Sequence, residues 1–442
     1  MAENIQNIPK RISGAILNSL ASGVVPRTGL EYIAIGRTRE IAAILEDLDT
    51  VSAGGSAFRI ISGRYGSGKS FLIQLMRAHA MERGFAVADA DLSPERRLAG
   101  SNRQGLATYR ELLRNLSTRA APDGGALAVV LTRWISKIQI SIARERNLAP
   151  GSQALADAVE IEIMAQIASL ETLVHGFDFA TAVRCFYRGA VEGNDELRQA
   201  ALRWLRGEFS TKTEARAVLP VSGIIEDASW YDYLKLIGAL MKLAGHAGFI
   251  VFIDEAVNLY KITQSVSREA NYEKLLNIFN DATQGRLSGM AFIFGATPQC
   301  IEDQRRGFYS YEALRSRLSG SRFAQAGIVD FSEPVIRLQP LTPEEITALL
   351  KRILYIHSRH FDWDPKVGDA QIAALVKNLA GRMGAEALLT PREIVRDFTG
   401  LLNILRQNPA ENFDSLAARL DIRPADAAPA QDETNPYAEF TL

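Results

Sequence analysis

"RIISGRYGSGKSFL", residues 59–72, sets three glycines, a lysine and a serine between two apolar runs. Phe58 to Ile61 reads as a short buried strand, and Phe71 to Met76 as the buried face of a helix. Between them Gly63-Arg64-Tyr65-Gly66-Ser67-Gly68-Lys69-Ser70 satisfies the pattern G-x-x-x-x-G-K-[ST] in the strand, loop, helix setting it requires. In such a loop consecutive backbone N–H groups point inward around phosphate oxygens, and glycines permit the dihedrals and the close approach. Gly68 lets the chain enter a helix whose first N–H groups favour negative charge. Lys69 would reach the β- and γ-phosphates of a nucleotide, and the Ser70 hydroxyl would bind Mg2+. The loop and the first helical residue, Gly63 to Phe71, form the candidate nucleotide-binding stretch.

A second group of candidates belongs at the same sheet edge. "GFIVFIDEA", residues 248–256, is an apolar run ending in Asp254-Glu255, and a parallel strand delivers such a pair to the C-terminal edge that holds the loop. Asp254 is then suited to hold the Mg2+ hydration shell, and Glu255 to orient and deprotonate an attacking water; alternatively the two acids cap the next helix. "MAFIFGATP", residues 290–298, ends its strand with Thr297, either a hydroxyl for the water or γ-phosphate or a turn residue before Pro298. Asp89 and Asp91 end the strand "FAVADADL", where they tune metal or water, or cap "LSPERR". Phosphoryl transfer needs further positive charge. Arg315 and Arg317 in "EALRSRLSG" and Arg392 in "LTPREIVRDF" are the candidates, the last at a helix start where the helix dipole offers a basic group nothing.

Around these motifs the expected fold is α/β, with a parallel sheet at its core. The chain divides into an N-terminal helical segment (1–28), the first part of the core (29–92), a helical insertion (93–235) and the second part of the core (236–340). A C-terminal helical lid (341–407) and a terminal segment (408–442) follow, the latter ending in a Pro-, Ala-, Asp- and Glu-rich tail that reads as disordered. The insertion shows successive helical patterns, such as "LAVVLTRWISKIQISIARER", without a fixed repeat period. Thr342-Pro343-Glu344-Glu345 opens a helix with Thr342 as its N-cap.

Composition bounds the partners. With 50 basic and 51 acidic side chains among 442 residues, the formal charge is −1, so no global field draws the protein to nucleic acid, although a local patch escapes the count. No segment gives eighteen uncharged apolar residues in a row, and no secretory signal opens the chain, so no membrane partner is expected. Cys185 and Cys300 are the two cysteines, too few for a disulfide framework or a cysteine-rich zinc site, which fits a reducing cytoplasm. His357 and His360 share a helical face, yet a third zinc ligand is missing.

These residues resemble the AAA+ ATPases, especially the origin-recognition and replication-initiator branch. That resemblance makes Gly36-Arg37-Thr38-Arg39-Glu40 an "xGRxxE" box, with Ile33 to Ile35 against the adenine, so Ile35, Gly36 and Arg37 join the ATP-binding candidates. It implies Walker A at Gly63–Ser70, Walker B at Asp254 and Glu255, sensor 1 at Thr297 and sensor 2 at Arg392, with Arg315 or Arg317 as a trans-acting arginine finger. The implied fold is a P-loop NTPase, AAA+-like core with a helical insertion and a lid. A closer likeness, to the ATP-binding proteins of bacterial BREX phage-defence loci called BrxD, runs through "ASGVVPRTGLEYIAIGR", "ADLSPERRLAG", "TYRELLRNLSTRAAPDGGAL" and "FIVFIDEAVNLYKI". It implies a Mg2+-dependent ATPase acting beside a helicase-like defence protein, on double-stranded DNA or as a homo-oligomer.

Two other classes stay open. A nucleotide-regulated DNA-binding module with little turnover lacks the winged-helix domain expected after residue 407. A small-molecule phosphotransferase needs an acceptor pocket near Glu255.

Overall fold

A computed structural model describes residues 8–171, 173–320, 329–382 and 390–419. The tail expected at 423–442 lies outside them. Five strands, β1 (Ser56–Ser62), β2 (Ala86–Asp91), β3 (Phe249–Asp254), β4 (Met290–Ala296) and β5 (Val335–Arg337), form one sheet in the order β5-β1-β4-β3-β2, with every adjacent pair parallel. The chain leaves β1 for the far edge at β2, returns through β3 and β4, and then places β5 on the other side of β1. The loop after β1 therefore opens beside the reversal of strand order, the crevice where parallel α/β sheets bind ligands.

Helices α1 (Lys10–Ala21), α2 (Thr38–Ser52) and α3 (Lys69–Glu82) precede β2. The insertion supplies α4 (Gln104–Arg114), α5 (Ala126–Glu145), α6 (Gln153–Glu171), α7 (Gly176–Val191), α8 (Asp195–Leu205) and the short α9 (Lys212–Arg216). Then come α10 (Trp230–Leu243), α11 (Val257–Tyr260), α12 (Ser265–Thr283), α13 (Pro298–Glu302) and α14 (Glu312–Leu318). The chain ends in α15 (Pro343–Phe361), α16 (Asp369–Arg382), α17 (Pro391–Gln407) and α18 (Phe413–Arg419).

Successive strand residues point to opposite faces, and here both faces are buried, which is why the strands read as continuous apolar runs. Phe249, Val251 and Ile253 of β3, with Phe292 and Phe294 of β4, join one core that continues through α4 to α8. The insertion is thus packed into the sheet's own interior. Ile250 and Phe252, with Ala291 and Ile293, join the other core against Ile44 and Leu48 of α2 and Leu72, Ile73 and Met76 of α3. By the same alternation Asp89, Asp91, Asp254 and Gly295 project to the α3 face. Among the described residues α5 is long and apolar enough to cross a membrane by length and composition. Its Leu127, Val130, Leu131, Trp134, Ile138 and Ile142 are buried in the first core, as in a core helix.

The chain forms two compact units. One comprises Arg37–Tyr65 and Lys69–Gln339, and so contains the sheet and the insertion. The other comprises the chain up to Gly36, the loop tip Gly66–Gly68 and the chain from Pro340 onward. In this second unit α1 packs on α15 and α17, and Ser13 Oγ lies 2.8 Å from His360 Nδ1. Thr342 and Glu345 form a reciprocal capping box at the start of α15, with Pro343 in the first turn; Thr390 and Glu393 repeat the device on α17. His357 is fully buried, with Nε2 3.1 Å from Asn403 Oδ1 and Nδ1 accepting from Trp363 Nε1 at 2.9 Å, so both ring nitrogens serve packing.

Candidate active site

The loop 63–68 runs from the end of β1 to the start of α3. Gly66 and Gly68 have φ of 73° and 97°, left-handed backbone that strains any residue with a Cβ. At Gly68 an added Cβ would meet nothing, so conformation alone explains that glycine. Lys69, 8% exposed, donates from Nζ to the carbonyls of Gly63 (2.9 Å) and Arg64 (3.0 Å), and its ammonium lies 5.4 Å from the centre of the Tyr65 ring. The lysine thereby folds back under the loop it follows. Arg64 and Tyr65 are exposed, and Phe71 is half-buried in the first turn of α3.

The next residue ties the loop to the central strand. Ser70 Oγ donates to Asp254 Oδ2 at 2.6 Å, while Asp254 Oδ1 accepts the Glu255 N–H at 2.8 Å. Asp254 is 8% exposed, so its two oxygens are held between a hydroxyl and an amide with little water. Glu255 has φ of 56°, a conformation that costs a non-glycine residue on the order of 1 kcal/mol. Neighbouring bonds hold that turn: Ala256 N–H donates to Gly295 O at 3.0 Å, and Asn258 Nδ2 donates to Leu92 O at 2.8 Å and Glu255 O at 3.3 Å.

Gly295 allows the acid its position. A Cβ there would lie 2.1 Å from Asp254 Oδ1, and the glycine's φ is not left-handed, so the space and not the backbone demands it. Asp91 sits directly across from Asp254 in the β2–β3 register. Its carboxyl is pushed up to about 6, first by burial of the group and then by the charges of Asp254, Asp89 and Glu255, although the residue as a whole is exposed. Asp89 is occupied differently, accepting from Arg77 Nε of α3 at 2.7 Å.

Thr297 caps α13, its Oγ1 accepting from Cys300 N at 3.3 Å, and is 8% exposed. Arg315 and Arg317 lie on α14. Arg315 is exposed and 3.8 Å from Glu312, whereas Arg317 donates to Asn280 Oδ1 at 3.1 Å and Ala313 O at 2.8 Å. Arg392, in the second unit, donates from Nε to Gly23 O at 2.7 Å, and its backbone N–H reaches Gly66 O at 3.4 Å. Arg37, with φ of 63°, bonds Gln339 O and pairs with Glu40 at 3.3 Å; Ile35 and Gly36 are half-buried just before it. Lys69, Ser70, Asp254 and Glu255 are therefore brought together at one sheet edge, while the α14 arginines are engaged with their own helix and α12.

Gly295 and Tyr65 had no assigned chemical role from sequence beyond membership of their motifs. A glycine inside a wholly apolar strand is the signal that could have marked the first, since it denotes close approach.

Among the described residues no three His, Cys, Asp or Glu side chains could hold a metal. The Ser70 hydroxyl and Asp254 carboxylate are hard oxygen donors, the set expected for Mg2+, which keeps waters and takes substrate phosphates as its other ligands. The residues present fit that ion. A family model for the BREX system ATP-binding protein BrxC/D matches residues 8–420. No curated protein matches the chain.

Proposed function

The chain belongs to the BREX system BrxC/D ATP-binding family, and from that premise we propose that it hydrolyses ATP and uses the cycle to remodel a protein or DNA partner in antiviral defence. The observation that carries this reading is the 2.6 Å bond from Ser70 to Asp254, which joins the glycine-rich loop to the strand-end acids. In this reading Gly63–Ser70 is Walker A and Asp254-Glu255 is Walker B. Backbone N–H groups of the loop bind the phosphates, and Lys69 exchanges its loop carbonyls for β- and γ-phosphate oxygens. Ser70 and Asp254 would hold Mg2+, which when bound supplies positive charge against those oxygens.

Glu255 orients a water and accepts its proton as the water oxygen bonds to the γ-phosphorus. The bond from that phosphorus to the β,γ-bridging oxygen breaks, and its electron pair leaves with ADP. Thr297 can serve the water only by sharing the hydroxyl that caps α13. Arg392 reports the phosphate to the helical lid. The looser engagement of Arg315 supports it over Arg317 as the arginine offered to a neighbouring subunit.

Phosphate release by wild type, Lys69→Ala and Glu255→Gln, each with and without duplex DNA, tests the reading. Lys69→Ala should lose ATP affinity and turnover, and Glu255→Gln should keep binding and lose hydrolysis. Equal hydrolysis by wild type and Glu255→Gln removes Glu255 from its role. An arginine supplied in trans makes specific activity rise with protein concentration, and Arg315→Ala should flatten that rise.

A further inference from the structure

We infer that Tyr65 reads the terminal phosphate: its ring shields the Lys69 ammonium and its hydroxyl donates to a γ-phosphate oxygen, so that the site holds a triphosphate more tightly than a diphosphate. The inference rests on the nucleotide reading of residues 63–70.

Tyr65 occupies a position that the G-x-x-x-x-G-K-[ST] pattern leaves open to any residue, so the motif does not account for it. Its ring centre is 5.4 Å from Lys69 Nζ, within the range over which an aromatic face attracts a cation. Lys69 is 8% exposed while Tyr65 itself is 49% exposed, so the ring meets solvent beside an ammonium that does not. An aromatic ring left this exposed at the mouth of a polar loop is poorly explained by core packing.

Burial holds the phenol's proton more firmly than usual, and the charges of Glu255 and Asp254 add to that effect. Near neutral pH it is thus a protonated donor beside the loop lysine. A terminal phosphate that touches Lys69 comes beside that donor. An O–H donor facing an anionic oxygen makes a charge-assisted bond, available to ATP and absent with ADP.

The test uses the full chain and the fluorescent N-methylanthraniloyl derivatives of ATP and ADP, each with Mg2+. In parallel, acylation of Lys69 by an amine-reactive ester is followed by mass spectrometry without nucleotide. Tyr65→Phe keeps the ring and should weaken the ATP derivative about tenfold, leaving the ADP derivative and Lys69 acylation unchanged. Tyr65→Leu should lose the same discrimination and raise Lys69 acylation several-fold. If wild type binds the ATP derivative and Lys69→Ala abolishes binding, but Tyr65→Phe keeps the wild-type ratio of ATP to ADP affinity, the Tyr65 role is overturned and the nucleotide reading stands. Unchanged acylation in Tyr65→Leu overturns the shielding. Absence of binding by wild type removes both readings together.

Discussion

Replacing Gly295 by alanine adds one methyl group at the point where the strand-end acid is least able to yield. The new carbon would lie 2.1 Å from Asp254 Oδ1, 2.9 Å from its Cγ and 3.0 Å from Ile73 Cδ1. Ordinary contact begins near 3.4 Å, so the carboxylate oxygen must retreat by about 1.3 Å, a shift comparable to the ~1 Å misplacements that cost about a hundredfold in rate. Backbone relief is blocked, because Gly295 is paired with Ile61 of β1 and its carbonyl accepts the Ala256 N–H at 3.0 Å. Asp254 can then keep its 2.6 Å bond to Ser70 or its 2.8 Å bond to Glu255, but not both. Gly295→Ala should lower ATP turnover about a hundredfold, weaken the Mg2+ dependence of nucleotide affinity, and destabilise the fold by about 1–3 kcal/mol from overpacking. Phosphate release, nucleotide titration with and without EDTA, and thermal melting measure the three. Gly238→Ala is the control: its Cβ would meet Met290 Sδ at 2.3 Å, a flexible thioether remote in sequence from the acids, so stability falls while turnover holds. Wild-type turnover and Mg2+ dependence in Gly295→Ala would mean that Asp254 does not depend on the space at Gly295.

Two further outcomes follow from buried polar groups. Burial lowers the pKa of His357 below its ordinary 6.5, with Arg406 and His360 adding to the shift and the Asn403 bond opposing it. The unfolded chain therefore takes up a proton at this site near pH 6.5 that the folded chain resists, and stability falls as pH drops below about 6.5; melting at pH 7.5 and 5.5 should show a loss that His357→Gln reduces. Fully buried Asn271 accepts the N–H groups of Leu98 and Ala99, both at 2.9 Å, and donates to Ala99 O at 2.9 Å. Asn271→Ala should cost about 2–4 kcal/mol and speed hydrogen exchange at those two amides, and unchanged exchange would count against the clip.

What the sequence disclosed depended on how each feature encodes itself. Strands buried on both faces declare themselves as apolar runs, so Phe249–Ile253 and residues 290–298 anticipated β3 and β4 almost to their ends. Long helices with a repeating apolar face, and caps such as Thr342 before Pro343, were equally legible. Helices of four or five residues, α9, α11 and α13, complete too few turns to show a period, and two of them emerge from the very segments that carry Glu255 and Thr297. The strand order is likewise invisible locally, because β1 lies between β4 and β5, neither of which neighbours it in the chain.

The site divides in the same way. Loop and acid pair are legible because their chemistry is concentrated in adjacent letters. Their support is dispersed: Gly295 stands 41 positions from the oxygen it accommodates, and Asp91, its pKa raised first by burial, meets in register the added charge of Asp254, which follows 163 residues later. Such residues act through register, and register becomes readable only when the strands are paired. The left-handed Glu255 carries this further, since nothing in "FIDEA" distinguishes a strained glutamate from a relaxed one. Its turn is held by the Asp254 carboxylate, by the Ala256 bond to Gly295 O and by the Asn258 side chain, so Asn258→Ala should lower phosphate release while leaving the nucleotide-binding residues untouched, and unchanged release would count against that support.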